Sequence, residues 1–275
     1  MAAKKLPIDL LELKDVFLSE IKNILTEFQI PSDLVINWDQ TNSKYVPAKE
    51  WSMDTKGAKQ VPIFGLEDKR EMTVLLAVTS SGDLLPTELI YAGKTDRCHP
   101  KYVFPEGHHI THTESHWSNE ESMLGYVDKI IVPYVNAKRK SIGNPTQHAL
   151  CIFYFFEAHK CESVRNKLIE NKIDYVNVPA CCIHELRPLD LTCNQCFKTL
   201  MKERFAQWYV EQVAGRLHEG VNMCDVKVDI NMSKIKPLHA AWVTKSLQEL
   251  SKDETLIKKG FDQSGITGAI DIGLN

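Results

Sequence analysis

The sequence predicts an α/β protein in which a mixed sheet is flanked by helices. Residues 149–156, ALCIFYFF, form a short and nearly unbroken apolar run, which is typical of a strand buried on both faces. Apolar runs at 72–79 and 85–92 are separated by the turn residues Ser-Ser-Gly-Asp, which indicates a hairpin. Polar stretches with helical periodicity separate the later strands, so we expect helices to cover the sheet.

The segment before the central strand predicts helices and antiparallel strands. Residues 8–29 repeat apolar side chains near a helical period, and Pro31 ends this amphipathic helix. Residues 34–39 predict a strand whose last residue is Asp39. The other predicted elements here are a short strand near 62–65, a polar loop at 94–118, and a helix from Ser118 to about Lys140.

The segment after the central strand alternates helix and strand. A helix is predicted at 161–171, a strand at 174–179, and a helix at 189–217 that the turn Arg187-Pro188-Leu189-Asp190 opens. Tail helices are predicted at 238–250 and 254–260. This element order is that of a ribonuclease-H-like sheet, in which Asp39 and Asp190 would meet at one end. An α+β fold with segregated layers is the structural alternative.

Length and composition exclude several classes of protein. The 275 residues suffice for a sizeable core, and no apolar run is long enough for a transmembrane helix. The first residues lack the pattern of a signal peptide, so we interpret the eight cysteines as reduced intracellular thiols. The net charge of −3 argues against non-specific wrapping of nucleic acid, although a local basic face remains open.

Several motifs together resemble one known family. They are NWDQT at 37–41, KGAKQV at 56–61, GDLLPTELIYAGKT at 82–95, HWSNE at 116–120, VPACC at 178–182, LRPLDL at 186–191, KPLHAAW at 236–242 and KKGFDQSGI at 258–266. In this order they resemble the DDE superfamily endonuclease domain, the catalytic core of pogo/Tigger-type transposases, related to jerky proteins and centromere protein B. The resemblance implies a DDE transposase/integrase core at 1–268 and a C-terminal end at 269–275. Transposases of this family carry helix-turn-helix domains before the core, and we expect no N-terminal helix-turn-helix domain in this chain.

The resemblance also implies three carboxylates that hold two divalent ions, Mg²⁺ or Mn²⁺, for phosphodiester chemistry. The first acid matches Asp39 and the third matches Asp190 in Pro-Leu-Asp. The second should stand where the family reads Phe-Asp-x-Phe, and here that position holds Tyr154. Because a tyrosine hydroxyl has a pKa of about 10, it brings no negative charge at neutral pH. We therefore expect a nuclear DNA-binding domain without catalytic activity.

Two alternatives stay open. Glu157 could replace the missing ligand and preserve a metal-dependent endonuclease or strand transferase, but an odd offset from Tyr154 on a strand points to the opposite face. The fold could instead persist as a protein-interaction scaffold that self-associates. Six basic residues could contact DNA phosphates, although such a charge run is usually a solvated surface. They are Lys138, Arg139, Lys140, Lys160, Arg165 and Lys167.

Cysteine, histidine and tryptophan groups offer further candidate sites. Cys193 and Cys196 form a Cys-x-x-Cys pair with Cys181, Cys182 and His184 upstream, which could bind zinc, although we prefer small buried thiols. A second possible metal group, more typical of solvated surface, is His99, His108, His109, His112 and His116. Trp38, Trp51 and Trp117 could stack on bases, although core packing is the simpler interpretation.

Overall fold

A six-stranded mixed sheet forms the centre of the computed structural model, which describes residues 8–47, 69–154, 162–222 and 225–273. The strand order is β4-β3-β2-β1-β5-β6. The strands are β1 (Val35–Lys44), β2 (Glu71–Thr79), β3 (Glu88–Ala92), β4 (His109–Thr113), β5 (Ala149–Phe153) and β6 (Ile173–Asn177).

The pairing of the strands confirms the predicted topology. β1 and β2 are antiparallel, as are β2 and β3. β1 pairs in parallel with β5, and β5 pairs in parallel with β6. The first strand therefore lies beside the first strand after the helix, as the ribonuclease-H-like layout requires. Their parallel register sets Asn37 opposite Ile152, which fixes the positions that follow on both strands.

Helices cover the sheet and extend into the tail. They are α1 (Ile8–Phe28), α2 (Glu120–Tyr126), α3 (Val132–Ser141), α4 (Glu162–Glu170), α5 (Ile183–Leu186), α6 (Pro188–Leu191), α7 (Cys193–His218), α8 (Met232–Leu250), α9 (Glu254–Ser264) and α10 (Ile266–Gly273). A π-helical segment, Val127–Ile131, joins α2 to α3, so the predicted single helix is continuous. Among the described residues, no helix is long and apolar enough to cross a membrane.

The core explains why the central strand reads as uniformly apolar. Every residue of β5 is buried, because helices pack over both faces of the sheet. α1 contributes a buried stripe of Phe17, Ile21 and Leu25, which follow one another at intervals of four residues. Trp38 on β1 stacks on Phe153 of β5 with ring centroids 4.2 Å apart. Trp38 is therefore a core residue, as the simpler interpretation predicted.

The structure corrects several predicted boundaries. The segment 94–118 was predicted as a loop but contains the edge strand β4, whose half-buried polar residues hide the pattern of a strand. β3 begins at Glu88, after Pro86. α7 begins at Cys193, because Pro188–Leu191 forms a separate short helix before it. α8 starts at Met232 despite Pro237 inside it, and the predicted strand near 62–65 lies outside the described residues.

Candidate active site

Asn37 fixes the geometry that brings the two predicted acids together. Its buried side chain donates from Nδ2 to the carbonyl of Ile152 at 2.8 Å, which ties β1 to β5. Its Oδ1 accepts from the backbone N–H of Leu189 at 3.0 Å, which ties β1 to α6. Asp39 lies two residues beyond Asn37, and Asp190 directly follows Leu189. One amide side chain therefore docks the Pro-Leu-Asp turn against the middle of β1, which carries Asp39. The prediction that this strand ends at Asp39 is wrong, because β1 stays paired with β2 as far as Lys44.

Arg187 lies between the two acids. Its Nη1 donates to Asp39 Oδ1 at 2.6 Å, and its Nη2 forms an ion pair with Asp190 Oδ2. The side chain of Arg187 is 14% exposed, so water screens these pairs only weakly. A guanidinium presents several donors in a fixed plane and can hold two carboxylates at once. Arg187 thus supplies the positive charge that balances this acid pair.

Asn194, in the first turn of α7, completes the bridge. Its Nδ2 lies 2.8 Å from Asp39 Oδ2 and 2.8 Å from Asp190 Oδ1. Together with Arg187, it gives each of the four carboxylate oxygens a donor. The carboxylates are consequently held by side chains of the protein itself, through charged and polar contacts.

Tyr154 stands where the second acid was predicted. The β1–β5 register pairs Asn37 with Ile152, and Asp39 and Tyr154 lie two residues further along their strands. The Arg187 Cζ atom lies 5.8 Å from the centroid of the Tyr154 ring, which is within the range of a cation–π contact. The tyrosine therefore faces the same guanidinium that the two acids bind.

Burial dominates the protonation of Asp39. Removal from water raises the pKa of Asp39 to about 7, the ion pair with Arg187 opposes this shift, and the neighbouring Asp190 adds to it. The single positive charge of Arg187 cannot balance the negative charges of two ionised carboxylates. The site therefore tolerates a proton on Asp39 near neutral pH.

The donor set differs from that of a site for two divalent ions. Such a site needs free carboxylate oxygens and a net negative charge. Here Arg187 and Asn194 already donate to the oxygens of Asp39 and Asp190, and Tyr154 adds a neutral ring. A metal ion would have to displace a bound guanidinium from a partly buried position. These residues as placed do not fit two divalent ions, and Glu157 lies outside the described residues.

The basic residues predicted to contact DNA have structural partners where they are described. Lys138 pairs with Asp83 at 2.7 Å. Arg139 is buried and donates to the backbone carbonyls of Gln147, Asn171 and Lys172. Phosphate contact by Lys138 or Arg139 stays a prediction, and the bonds that both side chains already form argue against it.

The other members of that basic set differ in environment. Lys167 pairs with Asp128 at 2.8 Å, and Arg165 is half-buried. Lys140 is exposed, and Lys160 lies outside the described residues. These residues do not form one continuous exposed basic surface among the described positions.

The cysteines of the Cys-x-x-Cys region behave as packing residues. Cys182 and Cys193 are buried in the core, and Cys196 is half-buried. His184 is exposed, and the side chain of Cys181 is outside the described set. Burial raises the pKa of Cys193 to about 11, so its thiol stays protonated at neutral pH. The interpretation as small buried thiols is confirmed for Cys182 and Cys193.

The five predicted loop histidines separate into different environments. The backbone N–H of Thr87 donates to His108 Nδ1. His109 Nδ1 lies 2.5 Å from a carboxylate oxygen of Glu88, and His116 Nδ1 forms a hydrogen bond with the hydroxyl of Thr73. His99 and His112 come together with their ring nitrogens 3.2 Å apart. Trp117 is 53% exposed, unlike a core residue, and Trp51 lies outside the described residues.

A groove beside the acid site carries basic residues that sequence reasoning missed. Its lining includes Lys44 at the end of β1 and Lys198 and Lys202 on α7, with all three side chains exposed. Lys198 and Lys202 follow Asn194 at helical spacings of four and eight residues, so they share its face. The spacing was visible in the predicted helix at 189–217, but the contacts of Asn194 with Asp39 and Asp190 were needed to interpret it.

Comparison with known proteins assigns the family. The sequence profile of the DDE superfamily endonuclease family matches residues 69–260, more than half of the chain. The chain belongs to this family. The DDE domain is also similar to the Homo sapiens protein "Pogo transposable element with KRAB domain", with 23% identity over 158 residues. That match covers 57% of this chain and 24% of the human protein, so the DDE domain spans about a quarter of the relative.

Solved structures share the fold of the DDE domain. The pre-cleavage Mos1 transpososome matches with a TM-score of 0.55 and 11% identity, over 100% of this chain and 64% of that chain. The Mos1 mariner paired end complex with Mn matches with a TM-score of 0.53 and 10% identity, over 98% and 65%. The fold is thus the ribonuclease-H-like fold of the DDE family, as the element order predicted. The chain covers less than two thirds of either Mos1 protein.

Proposed function

We propose that this transposase-derived DDE domain binds DNA and does not cleave it. The observation that carries the proposal is the position of Arg187, which contacts both Asp39 and Asp190. In a two-ion mechanism the metals stabilise the attacking and the leaving oxygen of the phosphodiester. A guanidinium held between the acids by two ion pairs leaves neither carboxylate free for that role.

Tyr154 supports the same conclusion from the other side of the site. Unit charges about 4 Å apart interact with roughly 4 kcal/mol at an effective dielectric constant of about 20. Replacing a carboxylate by a neutral phenol removes such an attraction for each ion. Its ring also lies against Arg187, and this contact favours the arginine in its present position.

The basic groove supports DNA binding. Lys44, Lys198 and Lys202 line a groove that begins one helical turn from Asn194 on α7, so it lies near the acid site. Lysine side chains contact phosphates without reading sequence, so this surface suits the backbone of a duplex. The fold neighbours in a pre-cleavage transpososome and in a paired end complex fit the same interpretation.

Fluorescence anisotropy of a labelled duplex, repeated at several salt concentrations, tests the DNA-binding part of the proposal. The affinity should fall linearly with salt on a double-logarithmic plot, because phosphate contacts release counterions. The double variant Lys198→Ala/Lys202→Ala should bind more weakly and reduce the slope by about 2, or about 1 for each lost contact. The matched control, Lys234→Ala/Lys252→Ala, removes two exposed lysines elsewhere and should keep the slope.

Two other outcomes would favour the alternatives. Salt-independent or undetectable binding would overturn the DNA-binding proposal and favour a protein-interaction scaffold, with self-association measured by sedimentation. Metal-dependent nicking that disappears in Asp39→Asn would overturn the proposed loss of catalysis and direct attention to Glu157. A nuclear location is part of the proposal and is checked by imaging the tagged chain in cells.

A further inference from the structure

A cysteine and two histidines converge at the edge of the sheet, far along the chain from the acid pair. Cys98 ends a short 3₁₀ turn after β3, His99 follows it, and His112 lies on the edge strand β4. One ligand atom from each of these residues lies within 4.8 Å of the other two. Among the described residues, this is where three side chains with metal-ligand chemistry meet.

The distances within this cluster match the edges of a tetrahedral site. Zinc binds histidine nitrogen at about 2.0–2.1 Å, so two ligand nitrogens at a tetrahedral angle lie roughly 3.3 Å apart. His112 Nδ1 and His99 Nε2 are 3.2 Å apart. Asp96 Oδ1 lies 3.4 Å from the same His112 nitrogen, although most of its side chain is exposed. His112 Nδ1 thus lies at ligand-to-ligand spacing from a second imidazole nitrogen and from a carboxylate oxygen, and the Cys98 sulfur lies within 4.8 Å of a ligand nitrogen of each histidine.

We propose that Cys98, His99 and His112 bind a zinc ion, with Asp96 as the fourth ligand. A thiolate, two imidazoles and a carboxylate suit zinc better than magnesium or calcium, which prefer oxygen ligands alone. The site is independent of Asp39 and Asp190 in both position and ligand chemistry. It takes a structural ion, because four protein ligands leave no open position for a substrate.

The surrounding backbone places the ligands without a metal. A Cβ atom on Gly93 would lie 2.4 Å from Cys98 Cβ and 2.7 Å from its Sγ, so only glycine admits the cysteine here. Lys236 on α8 donates to the carbonyl of Cys98 at 2.6 Å. β4 is held in parallel register against β3, with His112 opposite Tyr91. Two elements distant in sequence therefore converge on the turn that carries Cys98.

The consequence of metal binding is a cross-link at an exposed edge of the sheet. β4 is the terminal strand, and an unprotected edge invites pairing with other chains. A zinc ion would join the turn at Asp96–Cys98 to this strand and limit its local opening. The ion would stabilise the folded chain by mass action, since the unfolded chain has no preformed site.

Cobalt substitution reports the ligands directly. Co²⁺ added to the metal-free chain should bind once and give the intense visible bands of a tetrahedral site, together with a thiolate-to-cobalt charge-transfer band. Cys98→Ser should abolish the charge-transfer band, and His112→Gln should weaken cobalt affinity at least tenfold. Cys196→Ser and His218→Gln, which change a cysteine and a histidine outside the cluster, should leave the spectrum unchanged.

Zinc-dependent thermal unfolding provides the second readout. The native chain should unfold at a higher temperature with added Zn²⁺, and Cys98→Ser should lose most of this rise. The proposal is overturned if the native chain gives no charge-transfer band, or if Cys98→Ser retains both that band and the rise with zinc. The presence or absence of the charge-transfer band in the native chain tests the proposal even if a variant does not fold. DNA binding does not enter either measurement, so the two proposals succeed or fail separately.

Discussion

Arg187 and Asp39 are 148 positions apart in the chain, yet Nη1 of the arginine donates to Oδ1 of the aspartate at 2.6 Å. The contact joins the middle of the first strand to the turn before the long helix α7. It places a permanent cation between the two acids that were predicted to hold metal ions. Most properties of the site that can be tested follow from this pairing.

Removing the guanidinium should destabilise the fold. We expect Arg187→Met to lower the free energy of unfolding by roughly 3–5 kcal/mol, because two partly buried carboxylates lose their cation. The measurement is urea unfolding at about pH 8, where Asp39 is largely ionised. The control is Arg216→Met, which breaks the exposed pair with Glu219 and should cost less than about 0.5 kcal/mol.

A double-mutant cycle separates the pair from general packing. Adding Asp39→Asn to Arg187→Met should restore part of the lost stability, so the double variant loses less than the sum of the single variants. The coupling should lie between about 0.5 and 3 kcal/mol. Strict additivity would show that the arginine stabilises the site by packing on Tyr154 and not by charge.

Asp39 should give stability a falling dependence on pH. Its folded-state pKa is raised to about 7 from an ordinary value of 3.8, so the folded chain keeps a proton that the unfolded chain has lost between these values. The stability associated with that proton is complete below about pH 4 and is lost as the pH rises through about 7. Plots of the free energy of unfolding against pH should therefore have different slopes over this window. The native chain loses stability relative to the Asp39→Asn chain as the pH rises. Parallel curves would contradict the raised pKa.

His239 should give the opposite dependence. Burial lowers its pKa from 6.5 to about 3, and Ser43 Oγ lies 2.9 Å from its Nε2. The unfolded chain binds a proton below about pH 6.5 that the folded chain rejects, so this contribution to stability is lost as the pH falls toward 3. In His239→Gln this acid-side loss should be smaller, as measured by thermal unfolding between pH 7 and 4. An unchanged acid slope would contradict the assignment to His239.

Gly260 allows α9 to pack directly on the turn that carries Asp190. A Cβ atom there would lie 2.5 Å from the carbonyl oxygen of Pro188 and 2.8 Å from Thr192 Oγ1. We expect Gly260→Ala to lower the free energy of unfolding by roughly 1–3 kcal/mol, since backbone must move. Gly215→Ala in α7 meets no atom within 4 Å and should instead stabilise by about 1 kcal/mol. Equal effects of the two changes, in denaturant unfolding, would contradict this close approach.

The sequence predicted the architecture because its strands are strongly apolar. β2 and β5 are buried along almost their whole length, and this pattern appears directly in the residue types. β4 was missed because the half-buried edge strand His-Ile-Thr-His-Thr contains a single apolar residue and so has no apolar signature. The order of helices and strands then left only a small number of possible sheet topologies.

The site was only partly predictable for a different reason. Asp39, Tyr154 and Asp190 could be placed from family motifs, although the strand that carries Asp39 continues beyond it to Lys44. Arg187 and Asn194 act through contacts across the fold, and no local pattern shows which acids a side chain will reach. Arg187 stands three residues before Asp190 in the same turn, and this spacing was the available hint.

The most direct test that Arg187 occupies the place of metal ions between Asp39 and Asp190 is a Mn²⁺ titration followed by thermal unfolding. Four chains are compared: the native chain and the double variant Tyr154→Asp/Arg187→Gln, each with and without Asp39→Asn. A ligand that binds only the folded state raises its stability with concentration, by about 2.7 kcal/mol at a hundred times its dissociation constant. We predict no response of the native chain to millimolar Mn²⁺, and a rise in the double variant that Asp39→Asn removes. A rise in the native chain that Asp39→Asn removes would show that metal displaces Arg187, and would contradict the account.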